Sequence, residues 1–260
     1  MIPMTGFDLE TTSPDPHKAR IVQHAFVHTS PDQPDVEQLV DPGVQVPAEA
    51  TAIHGFTTDQ VQAHGIPAPD AVSDIVAHIT ACVSAGRPLV GHNISFDLTI
   101  VDRECRRHLG QGLEELVGGP VHPVVDTLVL SKKIDPYRRR VSTSQGAHQL
   151  RTCVEHMVTP RWPTVVWDEE QAHGAAYDCR MSLYVAAIAV THPALRCYTP
   201  GELHDAQTGW RAEQCKSLQS YLRNPKAGER HDPHAVVDGR WPIIPNEPRQ
   251  DTLTLWRSAA

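Results

Sequence analysis

Apolar and polar positions alternate over short distances in the first part of the chain and over longer, helical distances afterwards. Ile2–Asp8 is short and mostly apolar, and Arg20–His28 (RIVQHAFVH) predicts a second strand. The turn-like stretch Thr11–His17, with two prolines, separates them. Val36–Val40 predicts a third strand, closed by Asp41-Pro42-Gly43. Thr57–His64 and Ala71–Ala85 have helical character, and the second places Ala71, Ile75, Ile79 and Cys82 on one stripe. Pro88–Val90 reads as a short buried strand leading into a helix over Phe96–His108. Val121–Val125 predicts another strand, ending at Asp126-Thr127. Lys132–Gln149, polar and basic, reads as a loop; Gln149–Met157 looks helical and Trp162–Trp167 is an irregular connector. Gln171–Thr191 predicts a long helix stopped by His192-Pro193.

A strand meander followed by alternating strands and helices predicts an α/β domain on a mixed sheet, over residues 1–192. Residues 193–260 change character and are expected to form an extension. Within it, Pro200–Leu222 carries Leu203, Ala206, Trp210, Leu218 and Tyr221 on one helical stripe. Asn224–Ala260, rich in Pro, Arg and Asp, reads as an extended surface tail.

Charge narrows the function classes. With 23 Lys and Arg against 31 Asp and Glu, the 260-residue chain carries −8, which excludes a histone-like coat on duplex DNA. Local phosphate binding stays open where metal ions supply the positive charge. No apolar run approaches the ~18–20 residues that span a bilayer. Met1–Asp8 lacks the basic and long apolar regions of a secretory signal, and the six cysteines never fall in a Cys-x-x-Cys spacing. Reduced thiols in a cytoplasmic protein are the expectation.

Three segments concentrate acidic residues. In Gly6-Phe7-Asp8-Leu9-Glu10-Thr11-Thr12, strand alternation projects Asp8 and Glu10 from one face. Carboxylates that close repel unless a divalent cation lies between them, and hard oxygen donors suit Mg²⁺ or Mn²⁺. Taken alone, the pair equally describes a solvated strand end. In Leu89–Asp97 (LVGHNISFD) a buried strand runs into a helix start that carries Asp97 in its first turn, either as a cap or as a third carboxylate. In His173-Gly174-Ala175-Ala176-Tyr177-Asp178, a histidine at a helix start and an aspartate one turn on can approach a common pocket. Histidine titrates near neutrality and is suited to take a proton from water. His231-x-x-His234 sits in a polar, proline-containing stretch and reads as solvated.

In order, Asp-x-Glu, Asp and His-x4-Asp resemble the DEDD (DnaQ-like) exonucleases, in the DEDDh branch typified by the proofreading epsilon subunit of bacterial DNA polymerase III. Ile53-His54-Gly55-Phe56-Thr57 is similar to that family's His-Gly segment, and Val125-Asp126-Thr127 to its Asp-Thr strand end. Ser13 and Tyr177 depart from the family pattern, which bears on substrate fit rather than on the acids. The resemblance implies a ribonuclease-H-like, mixed five-stranded sheet flanked by helices. It implies Asp8, Glu10, Asp97 and Asp178 as ligands of two Mg²⁺ or Mn²⁺ ions, and His173 as general base. Thr11, His54, Phe56, Asn93 and Phe96 would contact substrate, although each phenylalanine equally suits core packing. Lys132, Lys133 and Arg138–Arg140 either contact strand phosphates or form a solvated loop.

The implied activity is 3′–5′ hydrolysis of DNA from single-stranded or frayed 3′ ends to nucleoside 5′-monophosphates. An RNA exonuclease of the same branch, similar to ribonuclease T or oligoribonuclease, is the alternative, and a non-catalytic binding module is disfavoured by the intact acid set. Proofreading would need a DNA polymerase as partner. Gln250–Leu255 has the Gln-x-x-Leu-x-Leu look of sliding-clamp-binding peptides, against which stands packing of Leu253, Leu255 and Trp256 on the protein's own surface.

Overall fold

The computed structural model describes residues 2–246 apart from Ser144. Six strands form one sheet: β1 (Thr5–Thr11), β2 (Ile21–His28), β3 (Val36–Asp41), β4 (Ile66–Pro67), β5 (Leu89–Gly91) and β6 (Val124–Asp126), in the spatial order β4-β3-β2-β1-β5-β6. β1 pairs antiparallel with β2 and parallel with β5, so the sheet is mixed and β1 lies at its centre. Five strands answer to the sequence pattern, and the two-residue β4 adds a sixth, parallel to β3. Gly65 makes that pairing possible, because a Cβ there would lie 2.5 Å from the Asp41 amide nitrogen. β2 is buried along nearly its whole length on both faces, which is why it reads as an apolar run rather than an alternation.

The described helices are α1 (Ala48–His54), α2 (Thr58–His64), α3 (Ala68–Ser84), α4 (Ile94–His108), α5 (Leu113–Val117), α6 (Thr127–Ile134), α7 (Leu150–Cys153), α8 (Ala175–Ala189) and α9 (Pro200–Leu222). α3, α4 and α5 cover one face of the sheet, where Phe7, Ile21 and Phe26 meet Ile75, Ile79 and Leu98. α8 covers the other, where Ala25, Val27 and Val90 meet Cys179, Leu183 and Ala186. α1 and α5, seven and five residues long, are too short to show a helical period in the sequence. α6 runs to Ile134, so Lys132 and Lys133 are helical rather than part of a loop. None of the described helices is long and apolar enough to cross a membrane, and the six cysteines form no disulfide.

α9 has the bounds its sequence predicts, set by Pro200 in the first turn and a reciprocal cap between Thr199 and Glu202. Its buried face differs from the expected stripe: Leu203, His204, Gln207 and Cys215 are buried, whereas Leu218 and Tyr221 are exposed. The sheet edge explains the exchange, because β6 presents backbone groups that need polar partners. Gln207 Oε1 accepts from the Asp126 amide at 2.7 Å, and Gln207 Nε2 donates to the Val124 carbonyl at 3.0 Å. His204 Nδ1 accepts from the Val124 amide at 3.0 Å. Two helical side chains thus stand where a seventh strand would pair.

The expected surface tail is also corrected as far as residue 246. Trp241 is buried, with its indole nitrogen 3.4 Å from Asp126 Oδ2. The Ile244 amide donates to Thr99 Oγ1 at 3.0 Å, and Arg103 donates to the Ile244 carbonyl at 2.7 Å. One buried aromatic and two hydrogen bonds to α4 hold this segment against the domain. The clamp-like peptide Gln250–Leu255 lies outside the described residues.

Two stability predictions follow from buried polar groups. Gln207→Leu should cost about 3 kcal/mol in urea unfolding, since it leaves the Asp126 amide and Val124 carbonyl buried without partners. Burial holds His24 and His204 down to about 4, with His78 and His122 respectively adding to the effect. Because the unfolded imidazoles take protons first, the share of stability that these two histidines control is full above about pH 6.5 and is lost as pH drops toward 4. The expected slope is roughly 1 kcal/mol per pH unit for each histidine, and His24→Leu should remove one share of it.

Candidate active site

β1 delivers two acids to one place. Gly6, Asp8 and Glu10 share the face that α8 covers, while Phe7 and Leu9 point into the opposite core. Gly6 permits the close approach of α8, because a Cβ there would lie 3.0 Å from the Cys179 carbonyl oxygen and 3.1 Å from its Cβ. That contact brings Asp178, one residue earlier on α8, against the end of β1. The fourth acid arrives from β5: after Gly91 the chain turns through His92 and Asn93 into α4, whose first turn carries the buried Asp97.

Both incoming helices are held by side chains distant in sequence. Asn93 adopts a left-handed conformation (φ 65°), and its amide donates to Asp126 Oδ1 at 3.0 Å. The same oxygen accepts from the Leu128 amide at 3.0 Å and caps α6. α8 receives no cap from Gly174; instead Gln23 Oε1 on β2 accepts from the Ala175 amide at 3.1 Å. Glu37 Oε1 on β3 accepts from the Ala176 amide at 3.4 Å and from Gln23 Nε2 at 3.3 Å. Neither Gln23 nor Glu37 carries a sequence signal of this role, since both lie about 140 to 150 residues from the helix they anchor.

All four carboxyl groups have raised pKa values. Burial is the leading cause in each case. The charges of Asp97, Asp178 and Glu10 add to it at Asp8, and Asp178 and Asp97 push Glu10 up to about 9. Asp97 is also raised, with Asp126 and Asp178 contributing against the backbone amides that stabilise its charge. Asp178 rises to about 7. Its Oδ1 is buried without a hydrogen-bond partner. A set of buried, mutually repelling oxygen donors with an unpartnered atom among them fits a hard divalent cation.

His173 joins this group. Ligand atoms of Glu10, His173 and Asp178 lie within 4.8 Å of one another. His173 is exposed and has φ 61°, at the end of a turn that Tyr177 steadies: the Tyr177 hydroxyl accepts from the Asp168 amide at 2.7 Å. Tyr177, a departure from the family pattern, therefore has a structural task in holding the histidine's turn.

The expected substrate residues divide. Asn93, His173 and Asp178 line a cleft of 730 Å³ together with Lys132, His148 and Trp167. His54 is buried, accepts from the Phe56 amide at 3.1 Å, stacks on the Phe56 ring, and is lowered in pKa by burial and by nearby His173. Thr11 turns its hydroxyl to the Ser13 carbonyl. Phe96 packs against the core under the sheet and Phe56 against Val22, Val46 and Val61. Arg138 is engaged with Ser131, Asp135 and the Ala147 carbonyl through its Nε and Nη1 atoms.

Comparison with known proteins places these observations. Residues 5–186 match the RNase_T exonuclease family. The chain is 28% identical over 152 residues to the PolC-type DNA polymerase III of Lacticaseibacillus paracasei, covering 58% of this chain and 10% of that one. Escherichia coli Exonuclease I in complex with a dA16 oligonucleotide superposes with a TM-score of 0.58 at 15% identity, over 87% of this chain and 44% of that one. Exonuclease I from Methylocaldum szegediense gives 0.55 at 18% identity, over 86% and 46%. The chain thus spans a tenth of the polymerase and less than half of either Exonuclease I chain.

The raised carboxyl groups make a prediction independent of catalysis. Their folded-state pKa values exceed the unfolded ones, so the share of stability that these groups control is full below about pH 4 and is lost as pH rises toward about 7 for Asp178 and about 9 for Glu10. In EDTA at pH 8, Asp8→Asn should therefore raise Tm by a few degrees (on the order of 1 kcal/mol). Mn²⁺ should raise the wild-type Tm, and most of that gain should vanish in Asp8→Asn. Equal Mn²⁺ shifts in both proteins would remove Asp8 from the cation site.

Proposed function

Because the chain belongs to the RNase_T exonuclease family, whose DnaQ-like acid pattern it carries, we propose that it is a metal-dependent 3′–5′ DNA exonuclease acting on single-stranded or frayed 3′ ends. The observation that carries this reading is the convergence of Asp8, Glu10, Asp97 and Asp178 at the end of the central strand, with His173 beside them. The likeness to a segment of a replicative DNA polymerase and to nucleases seen with bound DNA oligonucleotides supports DNA over RNA.

In this reading the four carboxylates would hold two Mg²⁺ or Mn²⁺ ions, which would supply positive charge against the phosphodiester and favour ionisation of the attacking water. His173 accepts the water's proton at a ring nitrogen and releases it to solvent from its exposed position. Its turn, steadied by Tyr177, keeps that ring over the acids. Asn93, on the cleft wall, orients the terminal nucleotide. Without cations the cluster offers a phosphodiester no positive charge, so cation binding would condition the seating of the scissile phosphate as well as hydrolysis.

Digestion of a 5′-labelled single strand in Mg²⁺ or Mn²⁺ should give a ladder shortening from the 3′ end. Asp8→Ala or Asp97→Ala should lower turnover by several orders of magnitude with the fold retained. A 5′-labelled strand that vanishes directly to mononucleotide would reverse the direction, and faster loss of a matched RNA would favour the RNA alternative. His173→Ala should slow turnover and abolish the acidic limb of the pH–rate profile; an unchanged limb would remove His173 as base.

A further inference from the structure

Beyond the acids, the cleft continues. It shares Lys132 and His148 with a second groove of 660 Å³ whose walls come from α6 and α9. This groove contains neither His173 nor any of the four acids. Trp210, Leu218 and Tyr221 form its apolar surface, and Leu218 and Tyr221 are 36% and 46% exposed, the very residues that α9 fails to bury against the sheet. Cations lie on its rings: Lys133 Nζ is 4.9 Å from the Trp210 ring centroid, and the Arg230 guanidinium carbon is 5.7 Å from that of Tyr221. Lys132 and Lys133 form no ion pair among the described residues, and Glu213 is the sole carboxylate on the groove's wall. In a chain of net charge −8, this groove sets two lysines beside a partly exposed aromatic ring on one wall.

A strand whose 3′ end occupies the cleft has to leave it, and the shared Lys132 and His148 mark where the two grooves join. Alternating cations and aromatic faces match a single strand's alternation of phosphate and base, and such surfaces bind without sequence preference. We propose that this groove carries the upstream, 5′-ward nucleotides of a single-stranded substrate, with phosphates at Lys132 and Lys133 and a base stacked on Tyr221. The proposal rests on the single-strand reading above and extends it. It makes α9 part of the substrate path as well as the cover of the sheet edge. Strand length, beyond the few nucleotides that reach the acids, then contributes to affinity.

The test compares binding of 5′-fluorescein-labelled dT20 and dT3, each with a hydrolysis-resistant phosphorothioate at its 3′-terminal linkage, to the full chain in Mg²⁺. Wild type should bind dT20 more tightly than dT3. The double variant Lys133→Ala, Tyr221→Ala should weaken dT20 about tenfold, within the range of one lost base–aromatic stack, and leave dT3 unchanged. Its dependence of log affinity on log salt for dT20 should be shallower by about 0.7, one phosphate contact. Lys133→Glu alone, which leaves the exposed ring in place, should weaken dT20 in the same length-dependent way. Equal binding of dT20 by wild type and variant, equal weakening of both strands, or no wild-type preference for dT20 would each overturn the groove. Should wild type show the length-dependent binding yet release no nucleotides from unmodified dT20, the exonuclease reading would fail while the groove stands.

Discussion

Repulsion among Asp8, Glu10, Asp97 and Asp178 works against the folded arrangement, and much of the surrounding structure holds these groups together despite it. The helix that carries Asp178 would relieve the repulsion by backing away from β1. It is prevented by apolar contact along its length and by the Gln23–Glu37 pair that grips its first amides. The absent side chain at Gly6 sets how near it comes. The strain is electrostatic and reversible, so a bound divalent cation converts an unfavourable cluster into a favourable one.

Asp126 does for α4 what Gln23 and Glu37 do for α8. One of its carboxylate oxygens fixes the Asn93 turn and the start of α6, its other faces the Trp241 indole, and its own amide is held by Gln207. Burial raises its pKa, against the amides and the Arg211 guanidinium that favour its charge. Although acidic and close to the site, it is fully used in hydrogen bonds and stands behind the acids rather than among them. Through it, residues beyond position 200 bear on where Asp97 sits. The docking of α9 is therefore coupled to the site's geometry, and not only to the completion of a sheet edge.

The same helix turns its other side outward. Its inner face is polar because β6 needs hydrogen-bond partners, and that requirement displaces Leu218 and Tyr221 to the surface beside Lys133. Edge protection and an aromatic groove thus come from one constraint on one helix.

The sequence by itself determined the strand order of the meander and the bounds of α9, because these rest on local information, alternation along a strand and capping residues; the candidate acids came from the order of Asp-x-Glu, Asp and His-x4-Asp and its resemblance to a family. Tertiary structure decided what local spacing does not carry. Which face of α9 is buried depended on an unpaired sheet edge 80 residues away, so an apolar stripe lost to Gln207 and His204. Phe96 and Phe56 are partly buried against the core clusters, and Arg138 is tied into internal hydrogen bonds. The anchors of the site, Gln23, Glu37 and Asp126, became partners of distant amides only once the sheet had aligned them. A side chain's type states which interactions it can make; the packed fold, by leaving particular buried groups unsatisfied, selects the ones it does make.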